Sequence, residues 1–245
     1  MENAQLINLS RQVVLQRKMD VIANNLANIN TGGYKSDSIL FEDFMMPKSR
    51  DNAPKGFDRR IHFVQDDRIL HDFTAGSIIE TDNPLNAAIN GDGFFVIETP
   101  AGERYTRNGS FETSPAGNLV TQDGYPVLGV DGPISFEEAD QNILIARDGT
   151  ISASGQRRGR LRVVNFENIQ ALEKDASTIF KGENAQDIET PHIMQGSIER
   201  SNVQSVREMA NMIQVTRSYT SLANIMKEAN DLRERAINSL GSLQA

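Results

Sequence analysis

Three histidines, His62, His71 and His192, are the only imidazoles this chain of 245 residues offers for metal binding or proton transfer. They lie far apart and in no metal-ligand spacing, so strand or surface positions account for them and no metal site is expected. The absence of cysteine removes disulfides and thiolate metal sites. Neither a Gly-x-Ser-x-Gly elbow nor a phosphate loop with its lysine occurs. Gly91-Asp92-Gly93-Phe94-Phe95 could pass for a nucleotide-binding glycine turn, but the residues after it read as a strand where a helix would be needed. A tight hairpin with Phe94 or Phe95 in a β-core is expected there. The repeated Asp-Gly pairs lack the twelve-residue acidic spacing and closing glutamate of a calcium loop. Arg157-Arg158-Gly159-Arg160-Leu161-Arg162 is the one basic cluster; in a chain of net charge −8 it reads as a solvated turn or an ionic contact between subunits. No catalytic residue, cofactor or small-molecule substrate is assigned, and an enzyme is not expected.

If the residues do no bond chemistry, the elements that carry them must do something else. The chain is long enough to bury a core, and 38% hydrophobic with 24% charged residues suits a modest one. An acidic balance, with a pI near 5.0, argues against a nucleic-acid partner. Glu2, Arg11, Arg17, Lys18 and Asp20 interrupt the region where the apolar core of a secretory signal would lie. No apolar run approaches the roughly 20 residues that span a bilayer. Composition alone reads as a cytoplasmic protein.

Three zones separate by pattern. From about Ala4 to Ile29 there is no Pro or Gly, and Leu15, Met19, Ile22, Leu26 and Ile29 alternate in the four-three spacing of a helical seam. Thr31-Gly32-Gly33 should end that helix, glycine being the usual left-handed terminator. At the other end, Ser201 or Asn202 is the expected N-cap of a second helix, in which Met212, Val215, Tyr219, Leu222, Met226 and Ala229 repeat the spacing up to Gly241. Between them, short apolar runs such as Phe94–Ile97, Ile143–Ile145 and Leu161–Val164 are separated by Asn-Gly and Asp-Gly pairs at 90, 92, 108, 123, 131 and 148. Such punctuation predicts antiparallel hairpins in a sandwich- or barrel-like domain. The fold class is therefore mixed α and β: long N- and C-terminal helices forming a coiled-coil-like bundle, with a central all-β antiparallel domain. The expected plan is an assembly helix over 1–35, a connector over 36–71 with a strand at Arg60–Val64, the β-domain over 72–195 and a second assembly helix over 196–245.

Asparagine is a mediocre helix former, yet Asn24, Asn25 and Asn28 crowd the end of the first helix. At ~100° per residue Asn24 and Asn28 fall opposite the seam and Asn25 at its border. Either they are tolerated near a frayed end, or the amide face is also buried against neighbouring subunits, where it would fix register.

The stretch ANNLANINTGGYK (Ala23–Lys35) is similar to the N-terminal signature of the bacterial flagellar rod and hook protein family. NPLNAAINGDGFFVI (Asn83–Ile97) with YTRNGSF (Tyr105–Phe111) resembles the central β-domain of that family, and QGSIERSNVQSVREMANMIQVTRSY (Gln195–Tyr219) its C-terminal signature. Three motifs in the right order cover nearly the whole chain. The length, the single β-domain and the opening ENAQLINLSRQVVLQRKMDVIANNLANIN resemble the proximal-rod branch, with the distal branch as the alternative.

The resemblance implies a structural subunit of the basal-body rod whose terminal helices pack into an inner tube, with the β-domain outside. It implies export through the flagellar export apparatus without a cleaved signal, a periplasmic location in the rod, and other rod subunits and basal-body components as partners. The residues expected at the assembly interface are Leu15, Met19, Ile22, Asn24, Asn25, Leu26 and Asn28 in the first helix, with Asn202, Val203, Met212, Val215, Tyr219, Leu222 and Met226 in the second. A reading from another class is a β-domain that binds sugar or peptide and is tethered by a helical coiled coil.

Overall fold

A computed structural model of the chain describes residues 2–46, 61–137, 140 and 142–241. It divides into two compact units. One comprises Met1–Leu26, Asp37–Leu70 and Gln204–Ala245; the other comprises Ala27–Ser36 and His71–Val203.

The first unit holds the two long helices, α1 (Glu2–Ala27) and α2 (Ser205–Gly241). Helix α1 stops two residues before Ile29, because Thr31 N–H turns back to the Asn28 carbonyl at 3.2 Å. Helix α2 begins at Ser205, beyond the expected caps, with Glu208 N–H on the Gln204 carbonyl. Ser201 and Asn202 are thus not its N-cap; the Asn202 side chain is committed elsewhere. The expected connector is also more regular than foreseen. Strands Asp37–Met46 and Ile61–His71 pair as a two-stranded sheet. Arg60, Pro47 and Pro54 lie outside the described residues, and the remainder of the expected Arg60–Val64 strand falls in the second of these strands. DSILFEDFMM (37–46) places its apolar residues in neither strict alternation nor helical spacing, so its type is settled by pairing with a remote strand.

The second unit is β-rich. Its central sheet has six antiparallel strands, in the order Glu173–Lys174, Ile179–Lys181, Gly102–Thr106, Phe94–Thr99, Val163–Asn165, Gln186–Asp187. Among the described residues one three-stranded and four two-stranded sheets accompany it. The strand Phe94–Thr99 is buried on both faces, which is why it reads as a continuous apolar run. Phe95, Ile97, Val163 and Ile179 enter one hydrophobic cluster, and Phe94, Val96, Val164 and Phe180 the other. Both phenylalanines thus fill core, on opposite sides.

The Asn-Gly and Asp-Gly pairs sort into two kinds. Asp131-Gly132 and Asp148-Gly149 lie where paired neighbouring strands turn back, and Asp123-Gly124 closes the turn between Thr121 and Tyr125. Asn90-Gly91-Asp92-Gly93 and Asn108-Gly109, by contrast, connect strands of different sheets and make no hairpin. Gly109 is needed for close approach: a Cβ there would stand 1.6 Å from the Ala87 carbonyl oxygen. The basic cluster is no solvated turn. It includes the strand Gln156–Arg160, Arg158 pairs with Glu137 and Asp140, each at 2.7 Å, and Arg162 with Asp187 at 2.7 Å and Glu103 at 3.1 Å.

Candidate assembly site

Periodicity places apolar residues of both helices on one face, and that face is the more buried. Ile22 and Val215 are buried, while Leu15, Met19, Leu26, Met212, Tyr219, Leu222 and Met226 are half-buried. Gln12 Nε2 donates to the Tyr219 hydroxyl at 3.0 Å, and Thr216 Oγ1 lies 3.8 Å from Met19 Sδ, so the helices touch at these two points.

Helix α2 also carries apolar side chains on its far side. Ile213 is two residues from Val215, hence about 160° around the helix. It is 54% exposed, and Val206 and Met209, at helical spacing from it, are 80% and 51% exposed. Full burial of such a side chain is worth roughly 1.5–3 kcal/mol. Helix α1 likewise exposes Leu9 and Val13.

The asparagines divide by role. Asn24 is exposed. Asn28 is half-buried and accepts a hydrogen bond from Thr31 Oγ1 at 3.2 Å, closing the turn after α1. Asn25 is buried, and its amide pairs with the backbone of Asp37 in both directions. Oδ1 accepts from Asp37 N–H at 2.9 Å and Nδ2 donates to the Asp37 carbonyl at 2.8 Å. An amide is the side chain that can reproduce both halves of a strand's ladder bond, so Asn25 fixes where the first strand leaves the helix.

Within the β-rich unit, the segments flanking the helices are bound side by side. Gly33 N–H donates to the Glu199 carbonyl at 2.8 Å, and Ser36 N–H to Asn202 Oδ1 at 2.8 Å. Asn202 Nδ2 in turn donates to the carbonyls of Asp72 at 2.7 Å and Thr74 at 3.2 Å. Val203, the remaining expected contact residue, is half-buried, its N–H on Ser201 Oγ at 3.3 Å.

Beneath them lies an ionic node absent from the sequence reading. Lys35, Arg107 and Glu199 are all buried. Glu199 Oε1 accepts from Lys35 Nζ at 2.6 Å and from Gly76 N–H at 2.9 Å, and Glu199 Oε2 lies 3.4 Å from Arg107 Nη1. Lys35 Nζ also donates to the Thr74 carbonyl, and Arg107 Nη1 to that of Gly91 at 2.9 Å. The guanidinium stands 5.2 Å over the Phe94 ring. Burial pushes the Lys35 ammonium below the ordinary lysine value, with Glu199 pulling the other way. Arg107 is pushed down by burial in the same sense and stays charged. One carboxylate thus holds two buried cations. Local pattern gives no signal for this: Glu199 is the last residue of a short strand and Lys35 follows a turn, both ordinary places for a surface charge.

Tyr34 is fully buried, and Lys174 Nζ sits 4.0 Å over its ring. The double glycine makes this packing possible. Gly33 has φ +68°, and a Cβ there would stand 2.3 Å from Asn108 N and 2.4 Å from Arg107 C. Gly33→Ala is therefore expected to cost at least about 1 kcal/mol from handedness alone, and more from overlap. A urea unfolding midpoint equal to that of the unsubstituted chain would refute the close approach.

The surface hollows of the β-rich unit include one of about 370 Å³ beside Phe166, Lys181 and Glu183 and one of about 290 Å³ beside Val130, Arg160 and Ile188. Arg160 is already engaged, through Nε, with the Asp148 carbonyl at 3.0 Å. Among the described residues no group of His, Cys, Asp and Glu is placed to hold a metal ion, and no helix is long and apolar enough to cross a membrane.

Comparison with known proteins gives three family matches. Residues 7–35 match "Flagella basal body rod protein", 88–153 match "Flagellar hook protein FlgE/F/G D1 domain", and 194–240 match "Flagellar basal body rod FlgEFG protein C-terminal". A Caulobacter vibrioides protein named flagellar basal-body rod protein FlgF is 36% identical, over 99% of this chain and 100% of its own length. A Mesorhizobium japonicum protein of the same name is 31% identical over 99% of both chains. A Buchnera aphidicola protein named flagellar basal-body rod protein FlgG is 36% identical, over 83% of this chain and 86% of its own. Each of the three matched regions contributes one member of the buried node: Lys35, Arg107 and Glu199.

Proposed function

Because this chain belongs to the flagellar basal-body rod protein family, as a structural subunit of the rod, we propose that it occupies the proximal rod and polymerises there through its terminal helices. The observation that carries the reading is the second apolar stripe of α2, Val206, Met209 and Ile213, left in solvent opposite the buried Val215. Such a stripe suits a helix that must touch its own α1 and a neighbouring subunit at once. The half-buried seam from Leu15 to Leu26 and from Met212 to Met226 supports a coiled-coil-like packing of α1 on α2. In this reading Asn24 contributes to contacts with neighbouring subunits, whereas Asn25, Asn28 and Asn202 act within the chain by setting the exits of the helices.

In this reading the chain reaches the periplasmic rod through the flagellar export apparatus without cleavage of a signal. Identity to relatives named FlgF over the full length favours the proximal position over the distal one. Basal bodies isolated from the source bacterium should contain the chain with its N-terminal residues intact, in the rod fraction. Basal bodies that lack it would remove the proposal.

A further inference from the structure

The two Asn-Gly pairs of the β-rich unit stand in opposite chemical situations. At Asn108-Gly109, Asn108 Oδ1 accepts from Ser110 N–H at 3.1 Å, and Gly109 is buried with its carbonyl oxygen bonded to Ala87 N–H at 2.9 Å. At Asn90-Gly91 both residues are exposed. Gly91 has φ +126°, and a Cβ placed on it would meet nothing within 4 Å. Among the described residues, no hydrogen bond holds the Asn90 side chain or the Gly91 N–H. An asparagine followed by glycine is the pair with the least steric hindrance to attack by the following backbone nitrogen on the side-chain amide, because glycine has no Cβ.

We propose that Asn90 is a site of spontaneous succinimide formation, with deamidation and isomerisation to aspartate and isoaspartate. Gly91 N loses its proton and attacks Asn90 Cγ. The new N–C bond forms, the bond from Cγ to the amide nitrogen breaks, and ammonia departs with the proton. One water then opens the cyclic imide at either carbonyl. Opening at one returns an ordinary peptide bond with aspartate at 90; opening at the other routes the main chain through the side-chain carbon. Nothing is oxidised or reduced.

The place matters because the modified bond adjoins the node. Gly91 O is held by Arg107 Nη1 at 2.9 Å, and Arg107 Nε is buried without a partner among the described residues. An isoaspartate inserts a methylene directly before Gly91, drawing that carbonyl off Arg107 and leaving the guanidinium with Glu199 as its remaining hydrogen-bond partner. Conversion at 90 is thus an ageing mark that reaches a buried ion pair from the surface, and Asn108 escapes it.

The test is incubation of the purified full-length chain at mildly alkaline pH, native and in urea, followed by peptide mapping with mass spectrometry and an isoaspartate-specific methylation assay. In the native chain, conversion at Asn90 should run at least several-fold faster than at Asn108, and urea should bring the two rates together. Asn90→Gln should abolish the early isoaspartate signal and leave the slow conversion at 108 unchanged. Native rates at 90 and 108 that are equal, or slower at 90, would overturn the proposal. So would early isoaspartate that survives Asn90→Gln.

Discussion

Glu199→Ala should destabilise the β-rich unit by about 3–5 kcal/mol, the range for removing one partner of a buried ion pair. The loss is large because Glu199 is the shared anion of two buried cations, Lys35 at 2.6 Å and Arg107 at 3.4 Å. It also accepts the Gly76 N–H, which the substitution would orphan. Against a typical domain stability of about 5–15 kcal/mol this removes a substantial part of the margin. Equilibrium urea unfolding of the full chain, followed by a signal from the β-rich unit, measures it. Replacing Lys35, Arg107 and Glu199 together by apolar residues of similar volume should recover most of the loss, since the cost lies in the unpaired charges. A single Glu199→Ala loss below about 1 kcal/mol, the scale of an exposed pair, would mean that the node is not buried in solution.

The second large effect concerns assembly and should leave the monomer intact. Ile213→Asp places a carboxylate on a helix position that is 54% exposed in the single chain, where substitutions usually stay within about 0.5 kcal/mol. In an interface, the same change forfeits about half of the roughly 1.5–3 kcal/mol of full apolar burial before any charge is desolvated. Since each 1.4 kcal/mol is about tenfold in affinity, one lost contact weakens each junction by about fourfold to fifteenfold, and every added subunit repeats it. Cells carrying Ile213→Asp as their sole copy should be non-motile, with the purified monomer normally folded by circular dichroism. Ile213→Val should swim. Normal motility of Ile213→Asp would take the exposed stripe out of the interface.

Much of this was legible from local sequence. The four-three spacing of Leu15, Met19, Ile22 and Leu26, and of Met212, Val215, Tyr219, Leu222 and Met226, marked the helices and the more buried face of each. Helix periodicity is a short-range property, readable wherever the pattern is unbroken. Gly33 was legible as a left-handed glycine, and its φ of +68° agrees, but α1 already ends at Ala27, six residues before it. The apolar run from Phe94 to Ile97 announced a strand, though not that both its faces would be covered.

The rest depends on partners that the chain brings from far away. Lys35 meets Glu199 across 164 positions, and Arg107 meets it across 92, so no window of sequence contains the pair. The same holds for Gly109, whose necessity comes from the Ala87 carbonyl of another strand, and for Arg158, whose acidic partners turn an apparent surface cluster into intrachain pairs. The asparagines fall between the two cases. Their positions near a helix end could be read from spacing, but the commitment of the Asn25 amide to the backbone of Asp37 required that strand to be in place. Helix periodicity and the apolar core strands could be read locally, because backbone preference and hydrophobic period are short-range; the strand at 37–46 and the structural charges and amides came from the fold, because pairing and burial are set by neighbours that sequence distance does not reveal.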